Sequence, residues 1–143
     1  MLELGTVPAH MISVMRQWRS ETQVTSQSSL DFVLQLLGQG RPVIALVNSA
    51  GTLGNNGRIR DDGYLTNFGG IVPLFSVVPK TLHYVTLSGF DMDRQTISYM
   101  DFDGVSKQYS FTEFMARWDY RTRGPVGDFL TGPLGCKERT IIW

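Results

Sequence analysis

Leu82-His83-Tyr84-Val85-Thr86-Leu87-Ser88 is followed by Asp91-Met92-Asp93-Arg94, then by Thr96-Ile97-Ser98-Tyr99-Met100, and then by Asp101-Phe102-Asp103-Gly104. The two longer runs are rich in β-branched and aromatic residues, which suit a pleated surface. The two short runs carry the Asp and Gly that turns require. The order reads as strand, turn, strand, turn, and Val105 to Tyr109 supplies a third strand, so this stretch is an antiparallel meander. It runs directly into Ser110-Phe111-Thr112-Glu113, a capping box with Ser at the cap and Glu three residues on. Phe111, Phe114, Met115 and Trp118 then fall at i, i+3, i+4 and i+7, the apolar face of a short helix.

Upstream of the meander the pattern is helical. Pro8 suits a first helical turn, with Thr6 as N-cap just ahead of it. Met11, Ile12, Val14, Met15 and Trp18 make an apolar stripe, which predicts a helix over roughly 8–18. The polar, Ser/Thr-rich stretch from Arg19 to Ser29 reads as a connection. Ser28 or Ser29 caps a second helix carrying Leu30, Val33, Leu34 and Leu37, stopped at Gly38 and Gly40. Pro42 opens Val43-Ile44-Ala45-Leu46-Val47, a short branched run of the kind found in buried strands. Residues 48–81 hold Gly51, Gly54, Gly57 and Gly63 with Asn55 and Asn56, all turn-formers. They form a long connection expected to border a functional cleft and to be more mobile than the sheet, anchored by the apolar Ile71 to Val78, where Pro73 limits any strand to an edge. Gly124-Pro125 and Gly132-Pro133 are turn signals, and Arg139 to Trp143 reads as a final strand. Helices first and an antiparallel meander afterwards is the α+β order, within a single domain over 1–143 and without internal repeats.

The bulk composition narrows the function classes. Thirteen Lys and Arg offset thirteen Asp and Glu in the 143 residues. Such a balance gives no electrostatic case for nucleic acid or an anionic membrane. Arg117, Arg121 and Arg123 form a local basic group that reads as a solvated face. Cys136 is the only cysteine, so no intrachain disulfide forms. Glu3, His10 and Arg16 interrupt the early apolar residues, and no run approaches the ~18 apolar residues of a membrane helix. The expected location is cytoplasmic, with no membrane insertion.

His83 shares a strand face with Val85 and Leu87. The short turn after it brings Asp101, at the end of the next strand, near its level. A carboxylate beside an imidazole fixes the ring's tautomer and raises its basicity. A structural histidine hydrogen-bonded in the sheet fits the same spacing. Other motifs fail. Gly51-x-x-Gly54-x-x-Gly57 lacks the Lys-Ser/Thr of a phosphate loop. Asp91, Asp93 and Gln95 begin like a calcium loop, but Thr96 and Phe102 occupy its sixth and twelfth positions. Two histidines without cysteine pairs are too few for zinc, and no cofactor is expected.

These segments together resemble the papain-like cysteine peptidases of the C39-like group. Gly40-Arg41-Pro42-Val43-Ile44 resembles that group's G-x-P-V-I strand. Leu82-His83-Tyr84-Val85 through Gly89-Phe90-Asp91 resembles the strand bearing its catalytic histidine, and Ile97 to Asp101 the strand ending in its orienting aspartate. Gly104 and then Ser110 to Trp118 are similar to the glycine turn and the [ST]-x-x-E-F-x-x-x-W helix. The likeness covers roughly 40–119. At the N-terminus Thr6-Val7-Pro8-Ala9-His10-Met11 resembles the family's C-G-P-[AT]-[AS] from the proline onward. That alignment sets Thr6 at the nucleophile position, and residues 1–5 hold no Gln to match the oxyanion donor.

The resemblance implies a papain-like α+β fold and a site of His83, Asp101 and Thr6. A threonine hydroxyl is far less acidic than a thiol at a helix N-terminus beside a histidine. The function expected is therefore that of a degenerate peptidase domain that keeps the His/Asp cleft and binds a peptide or protein segment, as in some bacterial secretion exporters. The alternative is an active cysteine hydrolase, with its nucleophile upstream or at Cys136. A third class is an interaction protein whose His83 is purely structural.

Overall fold

The computed structural model describes residues 6–66 and 75–143. Its best-signalled element is the capped helix. The Glu113 N–H donates to Ser110 Oγ at 3.0 Å, and helix α3 runs Phe111–Trp118. Phe114 and Trp118 are fully buried with rings stacked 5.1 Å apart. Burying each contributes about 1.5–3 kcal/mol. Helix α2, Leu30–Gly38, is capped in the same way, the Phe32 N–H donating to Ser29 Oγ at 3.1 Å.

The strands are β1 Val24–Thr25, β2 Val43–Asn48, β3 Tyr64–Thr66, β4 Val77–Pro79, β5 Leu82–Asp91, β6 Thr96–Met100, β7 Ser106–Ser110 and β8 Ile141–Ile142. Six of them form one sheet in the order β1-β8-β2-β5-β6-β7, while β3 and β4 pair by themselves. Every pairing is antiparallel. The meander β5-β6-β7 follows from its local turns. Strand β2 joins it by long-range pairing, with Val47 opposite His83 and Val43 opposite Leu87.

Alternation along β2 and β5 divides the core in two. Val43, Ala45, Val47, Val85 and Leu87 pack against Val33 and Leu36 of α2 and Phe114 and Trp118 of α3. Leu46 and Leu82 belong to a second cluster with Leu65, Val78, Tyr120, Leu130 and Cys136, against which Val7 and Tyr84 pack. The chain end is fixed by Trp143, whose Nε1 donates to Thr25 Oγ1 at 3.0 Å and whose ring meets Phe32 edge-on. The arrangement is the α+β, papain-like one expected.

Several local readings are corrected. The first helix, α1, is only Pro8–Met15, with Val7 in the cap position and no side-chain cap bond, so Thr6 is not its N-cap. Trp18 lies beyond it and is 89% exposed, because the stripe continues past the last helical residue. The Arg19–Ser29 connection contains β1, which exists only through its pairing with β8. Gly124-Pro125 opens a helix, α4 Gly124–Thr131, with Pro in its first turn. Arg117 is buried, not solvated. The expected anchor over 71–78 falls partly on residues 71–74, outside the described residues; its remainder contains β4.

Candidate active site

His83 and Asp101 meet at the edge of the α2/α3 face of the sheet. Thr86 pairs with Met100 and Leu87 with Tyr99. One step further on, Asp101 stands opposite Val85, on the face that Val85 shares with His83. Their side chains join, His83 Nε2 to Asp101 Oδ1, at 2.5 Å. Asp101 Oδ1 also accepts the Phe102 N–H at 2.8 Å. Burial alone would push the Asp101 carboxyl up, but the bonds from His83 and the Phe102 N–H outweigh it and hold the carboxyl below its usual value. The carboxylate can only accept, so Nε2 carries a proton and donates it. Among the described residues Nδ1 has no hydrogen-bond partner. One ring nitrogen is thus held by Asp101, and the other is free of protein partners among the described residues.

The imidazole is also contacted edge-on by Phe102, at 6.1 Å between ring centres. Phe102 is 92% exposed, so one edge of the His83 site is an uncovered aromatic ring. A small crevice of about 70 Å³ is lined by Thr6, Val7, Leu46, Leu82, His83, Tyr84 and Cys136. Thr6 therefore borders the same crevice as His83, although no hydrogen bond joins the two among the described residues. The Tyr84 hydroxyl is buried there and bonds no protein group among the described residues.

Cys136 is 3% exposed and packs with Leu46, Leu82, Tyr120 and Leu130. Burial pushes its thiol up to about 11, away from thiolate. Its backbone carbonyl accepts the Tyr120 hydroxyl at 2.7 Å, which ties the 136–137 turn to the segment after α3. A thiol held in this way is a small apolar filler.

The loop after β2 is organised by one residue that charge patterning misplaced. Arg117 Nη1 donates to the carbonyls of Asn48 and Ala50, both at 3.1 Å, and Nη2 to that of Gly51 at 3.0 Å. Its Nε bonds Glu113 Oε1 at 3.1 Å, one turn back along α3. Asn48 adds a bond from Nδ2 to the Gly63 carbonyl. No local signal in the sequence announces Arg117's role, since its acceptors are backbone atoms of a distant loop. Tyr84 is equally silent as a crevice residue, whereas hairpin spacing puts His83 and Asp101 near one level and Cys136 reads only as an alternative nucleophile. Among the described residues, the loop's turns border another cleft, beside the end of α3, and none lines the His83 crevice.

Among the described residues, no group of three His, Cys, Asp or Glu could hold a metal ion. No helix among them is long and apolar enough to cross a membrane. No curated protein and no solved structure matches the chain. A family model described as Peptidase_C39 like family matches residues 3–126. That span contains His83, Asp101 and α3 and stops short of Cys136. It takes in most of the chain, from the residues ahead of α1 into α4, and so the chain belongs to the peptidase C39-like family.

Proposed function

We propose that this domain is a degenerate member of its family, one that holds a peptide or protein segment beside His83 and Asp101 without cutting it. One observation carries the reading. The only cysteine lies outside the family match, is buried, and has its thiol raised to about 11. In the proposal His83 is the retained base, Asp101 orients it, and Thr6 stands where a nucleophile would. Without a nearby base bonded to it, a threonine hydroxyl is too weakly acidic to attack an amide. The uncovered Phe102 ring beside His83 supports an extended apolar or aromatic side chain as the ligand's contact. Neither nucleic acid nor membrane is proposed as partner, given the balanced charge. A cytoplasmic setting suits a chain with one unpaired thiol.

A second reading has one observation in its favour: Cys136 borders the same crevice as His83. In it the domain is an active cysteine hydrolase. Peptide turnover by wild type, His83→Ala and Cys136→Ser under one set of conditions separates the two. The degenerate reading expects no turnover in any of them, with peptide binding weakened in His83→Ala. Turnover by wild type that disappears in Cys136→Ser makes the hydrolase reading the better one.

A further inference from the structure

A second cleft, of about 590 Å³, opens between the 57–59 turn, Val77 and the segment leaving α3. None of its lining residues borders the His83 crevice. Its volume falls in the range of sites that enclose small ligands, roughly 300–1,000 Å³. The deeper lining is apolar and aromatic: Ile59, Tyr64 and Tyr120 are all buried. The rim carries Arg58, Arg121 and Arg123.

The charge on this rim is not balanced locally. Two carboxylates share it, fewer than the arginines on the rim; one is ion-paired, and the other is hydrogen-bonded by a neutral amide and keeps its charge. Asp119 lies 3.5 Å from Arg139 Nε, and Glu138 accepts from Gln27 Nε2 at 2.9 Å. Arg121 is held in place by Asp61 at 3.0 Å and lies 4.3 Å over the Tyr64 ring. Arg58 and Arg123 have no ion-pair partner and no side-chain hydrogen bond among the described residues. In a chain with equal numbers of acids and bases, two guanidinium groups unpaired among the described residues share one cleft with two buried tyrosines.

The walls are pre-formed. Arg117 pins the end of β2 and the start of the 49–63 loop to α3 through the carbonyls of Asn48, Ala50 and Gly51. Gly51 and Gly63 approach so closely that a Cβ on Gly51 would fall 2.8 Å from the Gly63 Cα. A cleft held open by such contacts binds without first being ordered.

We propose that this cleft binds a carboxylate carried on an apolar or aromatic body, as at the C-terminal residue of a peptide or on a free carboxylic acid. The guanidinium fork matches a carboxylate in two parallel hydrogen bonds. The buried tyrosines and Ile59 take the body. The site is separate from the His83 site and does not depend on whether that site is catalytic.

The test is calorimetric titration of the whole chain with N-acetylphenylalanine, with its neutral amide, and with a pentapeptide ending in phenylalanine. The free acids should bind saturably, more weakly as salt is raised, and the amide at least about tenfold more weakly. The Arg58→Ala/Arg123→Ala double variant should lose at least about tenfold in acid affinity. Both side chains are exposed, so the variant should keep its melting temperature. Pentapeptide binding that is tighter than that of N-acetylphenylalanine and is lost in the double variant assigns the site to peptide C-termini; equal binding assigns it to free acids. The proposal is overturned by absence of saturable acid binding, by equal binding of acid and amide, or by full binding in the double variant. The acid–amide comparison needs no variant, so it decides the matter even if the double variant fails to fold.

Discussion

Replacing Arg117 by Ala should be the most damaging single polar substitution in the protein. The side chain is 7% exposed, and it satisfies three carbonyls of the loop after β2 together with Glu113. Of those carbonyls, Asn48 belongs to a fully buried residue, and losing its partner costs on the order of 1–3 kcal/mol. The Ala50 and Gly51 carbonyls are partly exposed and recover water, so each loses about 0.5–1 kcal/mol. The Glu113 contact is an i,i+4 helix pair contributing about 0.3–0.5 kcal/mol. The guanidinium also lies 5.7 Å over the Tyr109 ring. The loss expected is about 3–5 kcal/mol, a fall in melting temperature of roughly 10–15 °C for a chain this size. Arg117→Lys keeps the charge but, lacking the fork, reaches fewer of the carbonyls, and should fall between the two. Urea unfolding followed by Trp fluorescence measures both. Arg117→Ala losing less than about 1 kcal/mol, or Arg117→Lys matching wild type, would refute the clamp.

Ser110→Ala removes the α3 cap and should cost about 1 kcal/mol by the same urea assay, while Ser28→Ala, whose hydroxyl caps nothing, should not affect α2 through capping. The Asp101 carboxyl is held below its unfolded value, so its contribution to stability is present above that unfolded value and fades as pH falls through the folded one. Asp101→Ala should therefore be less stable than wild type at pH 7 and converge with it in strong acid; a constant gap down to pH 2 would contradict this. Cys136, with its thiol near 11, should react slowly with a maleimide at pH 7 in the native state and rapidly in urea; fast stoichiometric native labelling would show that the thiol is open.

What the sequence disclosed was whatever local chemistry specifies. The capping box and the β5-β6-β7 meander lie in contiguous residues, and each was read in the right place to within three residues at the ends, β5 running on to Asp91. What it hid was decided by contacts across the chain. Strand β1 is two residues whose only reason to be extended is β8. Gly124-Pro125 carries the signals of both a turn and a helix start, and the helix forms with Val126 and Leu130 packed into the second cluster. Thr6 lost its capping role because the helix begins one residue later than the Thr6–Pro8 spacing implied. Arg117 reads as one of three surface cations until its acceptors, 66 to 69 residues away in sequence, are seen.

The same logic explains why His83 and Asp101 meet at all. Beyond the turn, Asp91 pairs with Thr96, Phe90 with Ile97 and Gly89 with Ser98, but Leu87, not Ser88, pairs with Tyr99. Strand β5 thus carries one extra residue at Ser88, a bulge. Had the register run on without it, Thr86 would stand opposite Asp101, and the carboxylate would project on the face away from His83. The extra residue flips every later position of β6 to the other face relative to β5. It brings Tyr99 under Leu87 in the α2/α3 core and sets Asp101 on the His83 side. The apolar spacing in β5 carries this in plain form: Val85 and Leu87 are two apart, but Phe90, which packs on the same core, comes three after Leu87. A strict period of two cannot place all three on one face, and Gly89, which has open space where a Cβ would be, follows directly after the extra residue. The geometry of the candidate site is therefore a consequence of core packing. The bulge that lets Leu87, Phe90, Ile97 and Tyr99 share one apolar layer is the same one that orients the imidazole.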